Sequence, residues 1–362
     1  MYILKSYVYN TWFTAFIMSI VILTFILVMG NFIQLAELVI TKGVNIVLVL
    51  KLFSYLIPYL LIFAIPMGIL TSALLTFNRL SCDNEITAMR ASGISLFRVI
   101  QPVILTALML SIICLHLNDT IIPKSHFLSR KTLIDIGLRR PTAALEPKTF
   151  IKAFKGAVIF IYQIKNNYLY NIRIYQPQPN KPTRIIIANS GEFIPIANKK
   201  EIKLKLIDGT IDESGKNDAF YKLNFKTYYM PLVLAENQNP DELEKKPKDM
   251  TLAELRKEID YFKRVNIDIY PLLTEFHKKI SISFASFIFA LIAIPLGIKT
   301  KRREYSISFG ISLVLIIIYY LIVILGEVLS LKQIIPAPMA MWIANIIFLL
   351  IGLNLSWNVF KR

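Results

Sequence analysis

Six long apolar stretches divide this chain into two groups of three, separated by a polar segment of about 150 residues. Each stretch is close to the roughly 20 residues that a helix needs to cross about 30 Å of hydrocarbon. Because lipid offers no hydrogen bonds to an open backbone, stretches of this length are predicted to be helices. The predicted spans are Trp12–Phe32, Tyr55–Leu75, Val99–Leu117, Ile280–Ile298, Ser306–Gly326 and Ala337–Trp357.

The composition agrees with a polytopic membrane protein. The chain is 55% hydrophobic and has a mean hydropathy of +0.54, which is high for a soluble globular protein. Cys82 and Cys114 lie in a loop and in a span, so they indicate no disulfide framework. The polar segment is the only part large enough to form a core of its own.

The short loops predict the orientation, because cytoplasmic loops carry an excess of lysine and arginine. One set of loops contains ten such residues, and the opposite set contains Lys42, Lys51 and Lys332. Both termini are therefore expected in the cytoplasm and the polar segment outside it. The ten residues are Lys5, Arg79, Arg90, Arg98, Lys299, Lys301, Arg302, Arg303, Lys361 and Arg362.

The polar segment is predicted to be an antiparallel β domain. Runs rich in Ile, Val, Tyr and Phe are separated by Asn, Gly and Pro clusters. Asp208-Gly209 is interpreted as a turn, and the period-two alternation indicates one buried face, as in a sandwich or open barrel. The predicted strands are Ala157–Lys165, Leu169–Gln176, Arg184–Ile196, Glu201–Ile207 and Phe220–Met230.

What the buried face covers is left open by the pattern, which fits either a plain protein core or a groove for acyl chains. The inward positions that would line such a groove are Ile202, Leu204, Leu206, Leu223 and Phe225.

The segment after the strands is charged and contains proline, as expected for a linker. Thr251 and Glu254 have the spacing of a capping box and predict a helix through about Val265. The predicted organisation is transmembrane helices 1–3 over 1–117, the β domain over 118–250, a linking helix over 251–270, and transmembrane helices 4–6 over 271–362.

Enzyme signatures are missing from the sequence. His116, His126 and His277 are scattered and have no metal-ligand spacing. The sequence contains neither a phosphate-binding G-x-x-x-x-G-K-[ST] loop nor a G-x-S-x-G nucleophile motif. We therefore expect no catalytic residue, no metal and no cofactor bound by this chain, and no nucleic-acid partner.

The loop between the second and third spans predicts a short amphipathic helix at about residues 82–92. Ser81 can cap it, Asp83 and Glu85 lie near its positive end, and Gly93 can end it. One face carries Ile86, Met89 and Arg90. Such a helix either binds a cytoplasmic partner or rests on lipid headgroups.

Several motifs follow one another along the chain, namely Pro58 with Pro66-Met-Gly68, Glu85–Ser95, Glu275–Lys279 leading into Ala293–Gly297, and Pro336–Asn345. In this order they resemble the LptF/LptG (YjgP/YjgQ) family of lipopolysaccharide-export permeases, and the likeness covers essentially the whole chain. The Glu85–Ser95 segment resembles the coupling helix of that family. This segment, Asn189-Ser-Gly191 and Leu206–Gly209 resemble the F-type member more than the G-type.

The resemblance implies a fold and a set of partners. The fold is a polytopic α-helical membrane protein with six transmembrane helices (3+3) and an external antiparallel β-jellyroll-like domain between helices 3 and 4. The chain would be the inner-membrane permease subunit of an ABC transporter, paired with a paralogous permease and a cytoplasmic ATPase dimer that uses ATP and Mg. It would extract lipopolysaccharide and pass it to a periplasmic jellyroll bridge.

The same resemblance places functional residues on this sequence. The first and fifth spans would form lateral gates for the lipid. ATPase coupling would involve Asp83, Glu85, Ile86, Met89, Arg90 and Gly93. Cations at the outer interface that could contact lipid phosphates are Lys42, Lys51, Lys278 and Lys279.

Two other classes of protein share part of the pattern. An ion-coupled secondary transporter would use ion sites on broken helices, but the spans contain few carboxylates. A membrane scaffold or sensor would display a β domain but would need no coupling helix. Copurification with an ATPase distinguishes the permease from both.

Overall fold

The chain forms two compact units, which we call the helical unit and the β unit. The helical unit comprises Met1–Ile33, Phe53–Phe127 and Lys245–Arg362, and the β unit comprises Gln34–Leu52 and Leu128–Glu244. The computed structural model describes residues 2–40, 43–139, 150–154, 156–165, 168–178, 181–195, 202–214, 220–232, 243–265, 267–300 and 305–360.

Six of the described helices are long and apolar enough to cross a membrane, namely α1, α2, α4 with its continuation, α7, α8 and α9. Each contains one of the predicted apolar stretches, so the six predicted spans are confirmed. In chain order the described helices are α1 (Tyr2–Ile40), α2 (Ile46–Cys82), α3 (Glu85–Ala91), α4 (Leu96–His116), α5 (Ile122–Arg139), α6 (Leu252–Arg264), α7 (Tyr270–Thr300), α8 (Tyr305–Leu331) and α9 (Ala337–Phe360).

The third span does not end where its apolar stretch ends. A π-helical turn, Leu117–Ile121, joins α4 to α5 without a break. Pro123 lacks a backbone N–H and so interrupts the ladder of helical hydrogen bonds just after this turn, and π turns occur mostly as such single-turn bulges inside α-helices. The segment assigned to the β domain from residue 118 therefore begins as helix, and its first described strand starts at Phe150.

The helix α7 is the centre of the helical unit. In its apolar stretch 72% of the residues are buried, against 17% in that of α1. Asn345 of α9 links α7 to α8. Its side chain accepts a hydrogen bond from the Tyr319 hydroxyl of α8 (2.7 Å) and donates one to the Ser281 carbonyl of α7 (2.9 Å). Hydrogen bonds of this kind hold membrane helices in register, each contributing about 0.6 kcal/mol.

The β unit contains a six-stranded antiparallel sheet in which the strands follow one another in chain order. All five predicted strands are confirmed, and β1 is an additional strand that the sequence pattern did not indicate. The strands are β1 (Phe150–Phe154), β2 (Ala157–Lys165), β3 (Tyr168–Gln178), β4 (Lys181–Pro195), β5 (Ile202–Ser214) and β6 (Phe220–Leu232).

The β unit has two described apolar clusters, of which the smaller joins its helical parts and comprises Val44, Val49, Leu52 and Ile136. The larger comes from the sheet itself, because its members all lie on β2 to β6, and several of them, including Ile159, Ile172 and Leu204, are completely buried. A flat sheet would leave such side chains open on one face. The sheet must therefore curl so that its own apolar face is covered, as in an open barrel.

A row of exposed side chains crosses the sheet at matching positions on β2 to β6, and we call it the kink row. Two of its members, Asn171 and Asp208, have left-handed backbones with φ of 52° and 51°, which asparagine and aspartate tolerate. The alternation of side chains shifts by one at this row, so that Leu206 and Ile211 are both buried, although strict alternation would put two residues five positions apart on opposite faces. The row consists of Tyr162, Asn171, Asn189, Asp208 and Lys226.

The described sheet corrects two predictions from the sequence. The turn expected at Asp208-Gly209 is wrong, because β5 continues through both residues. Gly209 allows two strands to approach there, since an added Cβ would overlap the Ile187 carbonyl oxygen and the Phe225 ring. Leu223 pairs with the buried Ile211 and so lies on the expected side of the sheet, but it is 60% exposed, because β6 has only β5 beside it within the described residues.

Candidate functional site

The coupling segment, defined as Asp83–Gly93, lies between α2 and α4 and contains the short helix α3. Left-handed residues stand at both of its corners, Asn84 with φ of 58° and Gly93 with φ of 72°. The N–H groups of Gly93 and Ile94 donate to the carbonyls of Arg90 (2.9 Å) and Met89 (3.0 Å), which is the Schellman arrangement that glycine favours. The prediction that Gly93 ends this helix is confirmed.

The predicted cap at the start of this helix is wrong. Asn84, not Ser81, occupies the N-cap position of α3. The Ser81 hydroxyl instead donates to the Ile298 carbonyl at the end of α7 (2.8 Å). This buried serine therefore links the helix before the coupling segment to the central helix of the unit.

The inner face of α3 is apolar and attached to the helical unit. Ile86 and Met89, one turn apart, are 4% and 6% exposed and belong to the large apolar core. Burying two such side chains contributes roughly 1.5–3 kcal/mol each. The helix is thus held against the spans and does not simply rest on a lipid surface.

Two polar contacts fix the ends of α3 to distant parts of the chain. Arg90 Nη2 donates to the Val359 carbonyl near the end of α9 (2.8 Å). Glu85 Oε1 accepts a hydrogen bond from the Tyr7 hydroxyl of α1 (3.1 Å). Neither partner has a sequence signal that spacing could reveal, because each lies far from residue 85 along the chain. A force on α3 would reach α1 and α9 through these contacts.

The outer face of α3 is exposed and consists of small or polar side chains. Asp83 is half exposed and makes a weak pair with Arg79 on the preceding turn (3.6 Å). The other exposed residues of the segment are Asn84, Thr87, Ala88, Arg90, Ala91, Ser92 and Gly93. The predicted coupling residues thus divide into the buried Ile86 and Met89, the half-buried Glu85, and the exposed Asp83, Arg90 and Gly93.

The backbones of α2 and α7 touch beside the coupling segment. An added Cβ on Gly297 would lie 2.9 Å from the Leu74 carbonyl oxygen and 3.1 Å from the Asn78 nitrogen. Only glycine permits this approach, and the Ser81–Ile298 hydrogen bond lies next to it. The sequence signal was the glycine of the Ala293–Gly297 motif, whose role the motif alone did not reveal.

The predicted headgroup lysines are not equivalent. Lys278 Nζ forms an ion pair with Glu327 (2.8 Å) and lies 4.0 Å from Glu275. Lys279 is buried and donates to the Met250 carbonyl. Lys51 lies on the exposed side of α2, and Lys42 lies outside the described residues.

Lys279 belongs to a polar joint where α6 meets the third and fourth spans. Asp119 accepts the Leu252 N–H (2.6 Å), and His126 Nδ1 contacts the buried Asp249 carboxylate (2.5 Å). The predicted capping box is confirmed, because Thr251 Oγ1 accepts from the Glu254 N–H (3.2 Å) and Glu254 Oε2 accepts from the Thr251 N–H (2.8 Å).

The ionisation of Glu254 follows from these contacts. Burial alone would raise the pKa of this carboxyl, but hydrogen bonds from Lys245 and Thr251 outweigh burial and lower it. The carboxylate therefore stays ionised in the box.

The predicted groove residues occupy different environments. Leu204 and Leu206 are fully buried, and Phe225 is partly buried against the same core. Ile202 pairs with Pro195 and Leu232 on the neighbouring strands, but its side chain lies outside the described residues. Among the groove candidates, Phe225 and the exposed Leu223 are the most accessible. Across the described ranges, no group of three or more His, Cys, Asp or Glu residues could hold a metal ion.

Comparison with known proteins gives consistent matches. Residues 6–358 match the family described as "Lipopolysaccharide export system permease LptF/LptG". The "Lipopolysaccharide export system permease protein LptF" of Escherichia coli K12 is 22% identical over 86% of this chain and 83% of its own length, as is that of Shigella flexneri. "Uncharacterized protein RP871" of Rickettsia prowazekii is 23% identical over 53% of each chain.

Proposed function

Because this chain belongs to the lipopolysaccharide export system permease family LptF/LptG, we propose that it is the permease subunit of an ABC transporter that extracts lipopolysaccharide from the inner membrane. It pairs with a paralogous permease and with a cytoplasmic ATPase dimer, which hydrolyses ATP with Mg. The chain itself performs no catalysis. A conformational change of the ATPase displaces the helices of the chain, and this displacement moves the lipid.

The observation that carries this proposal is the two-faced coupling segment. Its apolar face is buried in the core of the helical unit, and its outer face leaves small and polar side chains for a partner. A helix that only rested on headgroups would turn its apolar face toward lipid. The geometry of α3 fits a helix that is anchored in the bundle by its inner face and bound by a partner protein at its outer face.

The push from the ATPase would spread in two directions. The coupling segment is continuous with α2 and α4, so its displacement moves the second and third spans. Through Ser81 and Gly297, α2 also pushes on the central helix α7. A cavity bounded by these helices would collapse and release its lipid.

The cargo path follows the chemistry of an amphiphile with several acyl chains. We propose that α1 and α8, both rich in exposed apolar side chains, are the lateral gates. Lysines at the outer interface contact the lipid phosphates, and among the described headgroup candidates Lys51 is exposed, Lys278 half-buried and Lys279 buried. The β unit is expected in the periplasm, since the excess of lysine and arginine in one set of short loops predicts that both termini lie in the cytoplasm.

The β unit would pass the lipid onward. Within the described residues, β6 pairs on one side only, with β5, and its 13 residues offer a longer template than β1. Strand addition at such an edge is a common way of joining β domains. We propose that a periplasmic jellyroll protein continues the sheet there, and that acyl chains contact Phe225 and Leu223 on the way.

Copurification tests the central proposal. The full-length chain, tagged and extracted from its native membrane, is expected to bring down a nucleotide-binding subunit and a second permease. Thr87→Arg, on the outer face of α3, should reduce the recovery of the ATPase, because a long cation replaces a small side chain in the contact. Asn10→Arg, at an exposed position of α1, is the matched control and should leave recovery unchanged.

A chain that transports or signals without any ATPase would contradict this proposal. Transport by the purified chain alone would indicate an ion-coupled secondary transporter, and stable display of the β unit with no transport would indicate a scaffold.

Photocrosslinking tests the acyl-chain contact. Azidophenylalanine at Phe225 is expected to capture lipopolysaccharide only when ATP is supplied, because the lipid reaches the β unit after extraction. The same amino acid at Tyr162, an exposed aromatic position on the kink row, should capture little. Silence at Phe225, or equal labelling at both positions, would mean that the buried face is a plain protein core.

A further inference from the structure

A cavity of about 430 Å³ lies between α1 and α2, close to the coupling segment. It is lined by side chains of mixed character from both helices, with a guanidinium at one end. The lining residues include Thr11, Thr14, Met18, Leu75, Thr76 and Arg79.

The cavity lies at the level of a membrane interface. Thr11 comes immediately before the apolar stretch that begins at Trp12, and Thr76 comes immediately after the one that ends at Leu75. Both helices therefore place polar residues here at the boundary of the hydrocarbon. This boundary is on the side of the chain that carries α3.

The polar groups of the cavity can receive a phosphate. The Arg79 side chain is 44% exposed, and its pair with Asp83 is a long, exposed i,i+4 contact that is easily exchanged. A guanidinium forms bidentate hydrogen bonds with phosphate oxygens that a carboxylate at 3.6 Å does not provide. The Thr76 side chain is 3% exposed, and its hydroxyl has no hydrogen-bond partner within the described ranges.

The apolar groups continue the cavity toward the centre of the bilayer. Met18 is 64% exposed, and the next turns of α1 expose Val21, Ile22 and Phe25. A cation at the interface followed by an open apolar strip matches a headgroup with a fatty chain behind it. A soluble anion would pair with the cation but leave the apolar strip uncovered. A wholly apolar helix would cover the strip but leave the cation without a partner.

We propose that this cavity binds a glycerophospholipid of the leaflet on the side of α3, with its phosphodiester on Arg79 and an acyl chain along Met18. This binding is separate from the transported lipid and requires only that the chain sits in a membrane. The bound lipid packs α1 against α2 beside the Tyr7–Glu85 hydrogen bond. It thereby stiffens the support of the coupling segment.

The test uses the full-length chain, with the subunits it retains, in nanodiscs of digalactosyldiacylglycerol, a bilayer lipid that has no phosphate and therefore does not compete for Arg79. A trace of phosphatidylglycerol with a diazirine in its acyl chain is the probe, because its only charge is on the phosphate. Diacylglycerol with the same diazirine chain is the control without phosphate. Phosphatidylglycerol is expected to label the α1 peptide around Met18, and diacylglycerol about tenfold less, as for the loss of one strong charged contact.

Three arginine variants make the result specific. Arg79→Gln should reduce labelling by phosphatidylglycerol about tenfold, Arg79→Lys should restore part of it, and Arg98→Gln, at another exposed arginine on the same side, should have no effect. Equal labelling by the two probes, or indifference to Arg79→Gln, would overturn the proposal. Labelling that appears only after the other subunits are removed would also overturn it, since a protein helix would then fill the cavity.

Discussion

Replacing Glu85 by lysine is expected to leave the protein in the membrane but to lower the extraction of lipopolysaccharide per ATP hydrolysed by about tenfold or more. The carboxylate lies at the edge of the exposed face of α3, next to its positive end, where a basic group of the ATPase can pair with it. Reversing the charge replaces a charge-assisted contact with a repulsion, and loss of such a contact alone costs about 1.5–3 kcal/mol. Extraction and ATP hydrolysis are measured together in reconstituted complexes.

The control separates the partner contact from the contact inside the chain. Tyr7→Phe removes the hydroxyl that donates to Glu85 Oε1 and leaves the carboxylate in place. If Glu85 binds the ATPase directly, the Tyr7→Phe variant should retain most of the coupling between ATP hydrolysis and extraction. A Tyr7→Phe variant as defective as Glu85→Lys would mean that Glu85 acts only by holding α1, and normal export by Glu85→Lys would exclude either role.

Replacing Gly297 by valine is expected to destabilise the helical unit by about 1–3 kcal/mol, the usual cost of overpacking, and to uncouple the complex as well. The new side chain would meet the backbone of α2 at Leu74 and Asn78, which cannot move aside as a flexible side chain can. The helices α2 and α7 would separate and stretch the Ser81–Ile298 hydrogen bond. Thermal unfolding in detergent and extraction per ATP report the two effects.

Gly310→Val is the matched substitution for this experiment. Gly310 lies in α8, and an added Cβ there would have nothing within 4 Å. Valine is slightly better than glycine in a helix, so this variant should be as stable as the parent and is the control for the loss of stability. Normal extraction per ATP by the Gly297→Val complex would show that the approach of α2 to α7 at Gly297 has no part in coupling.

Much of the fold could be predicted from the sequence because its elements have strong local signals. Six apolar stretches of membrane length and five runs rich in Ile, Val, Tyr and Phe each identify an element without reference to the rest of the chain. The helical continuation through Arg139 and the short β1 were not predicted. The first has no apolar stretch, and the second is only five residues long.

The candidate site was predictable only in part, because only some of its features depend on residues close together in the chain. The coupling helix, its end at Gly93 and its amphipathic character follow from nearby residues. The contacts of Glu85 with Tyr7 and of Arg90 with Val359 join segments far apart in the chain, and no periodicity encodes them. Spacing predicted the side of the sheet on which Leu223 lies but not its exposure, because alternation does not reveal that β6 has a neighbouring strand on one side only within the described residues.

The kink row makes strand length, rather than side-chain identity, the quantity that the β unit must preserve. Side chains alternate with a period of two, so deleting Asp208 alone would move the side chains of half of β5 to the opposite face of the sheet. The side chains of the neighbouring strands would stay on their original faces. Deleting one residue from each of the five strands together would bring their alternation back into register, but a deletion in a single strand would not. The unit should therefore accept many substitutions along this line and reject almost every one-residue gap.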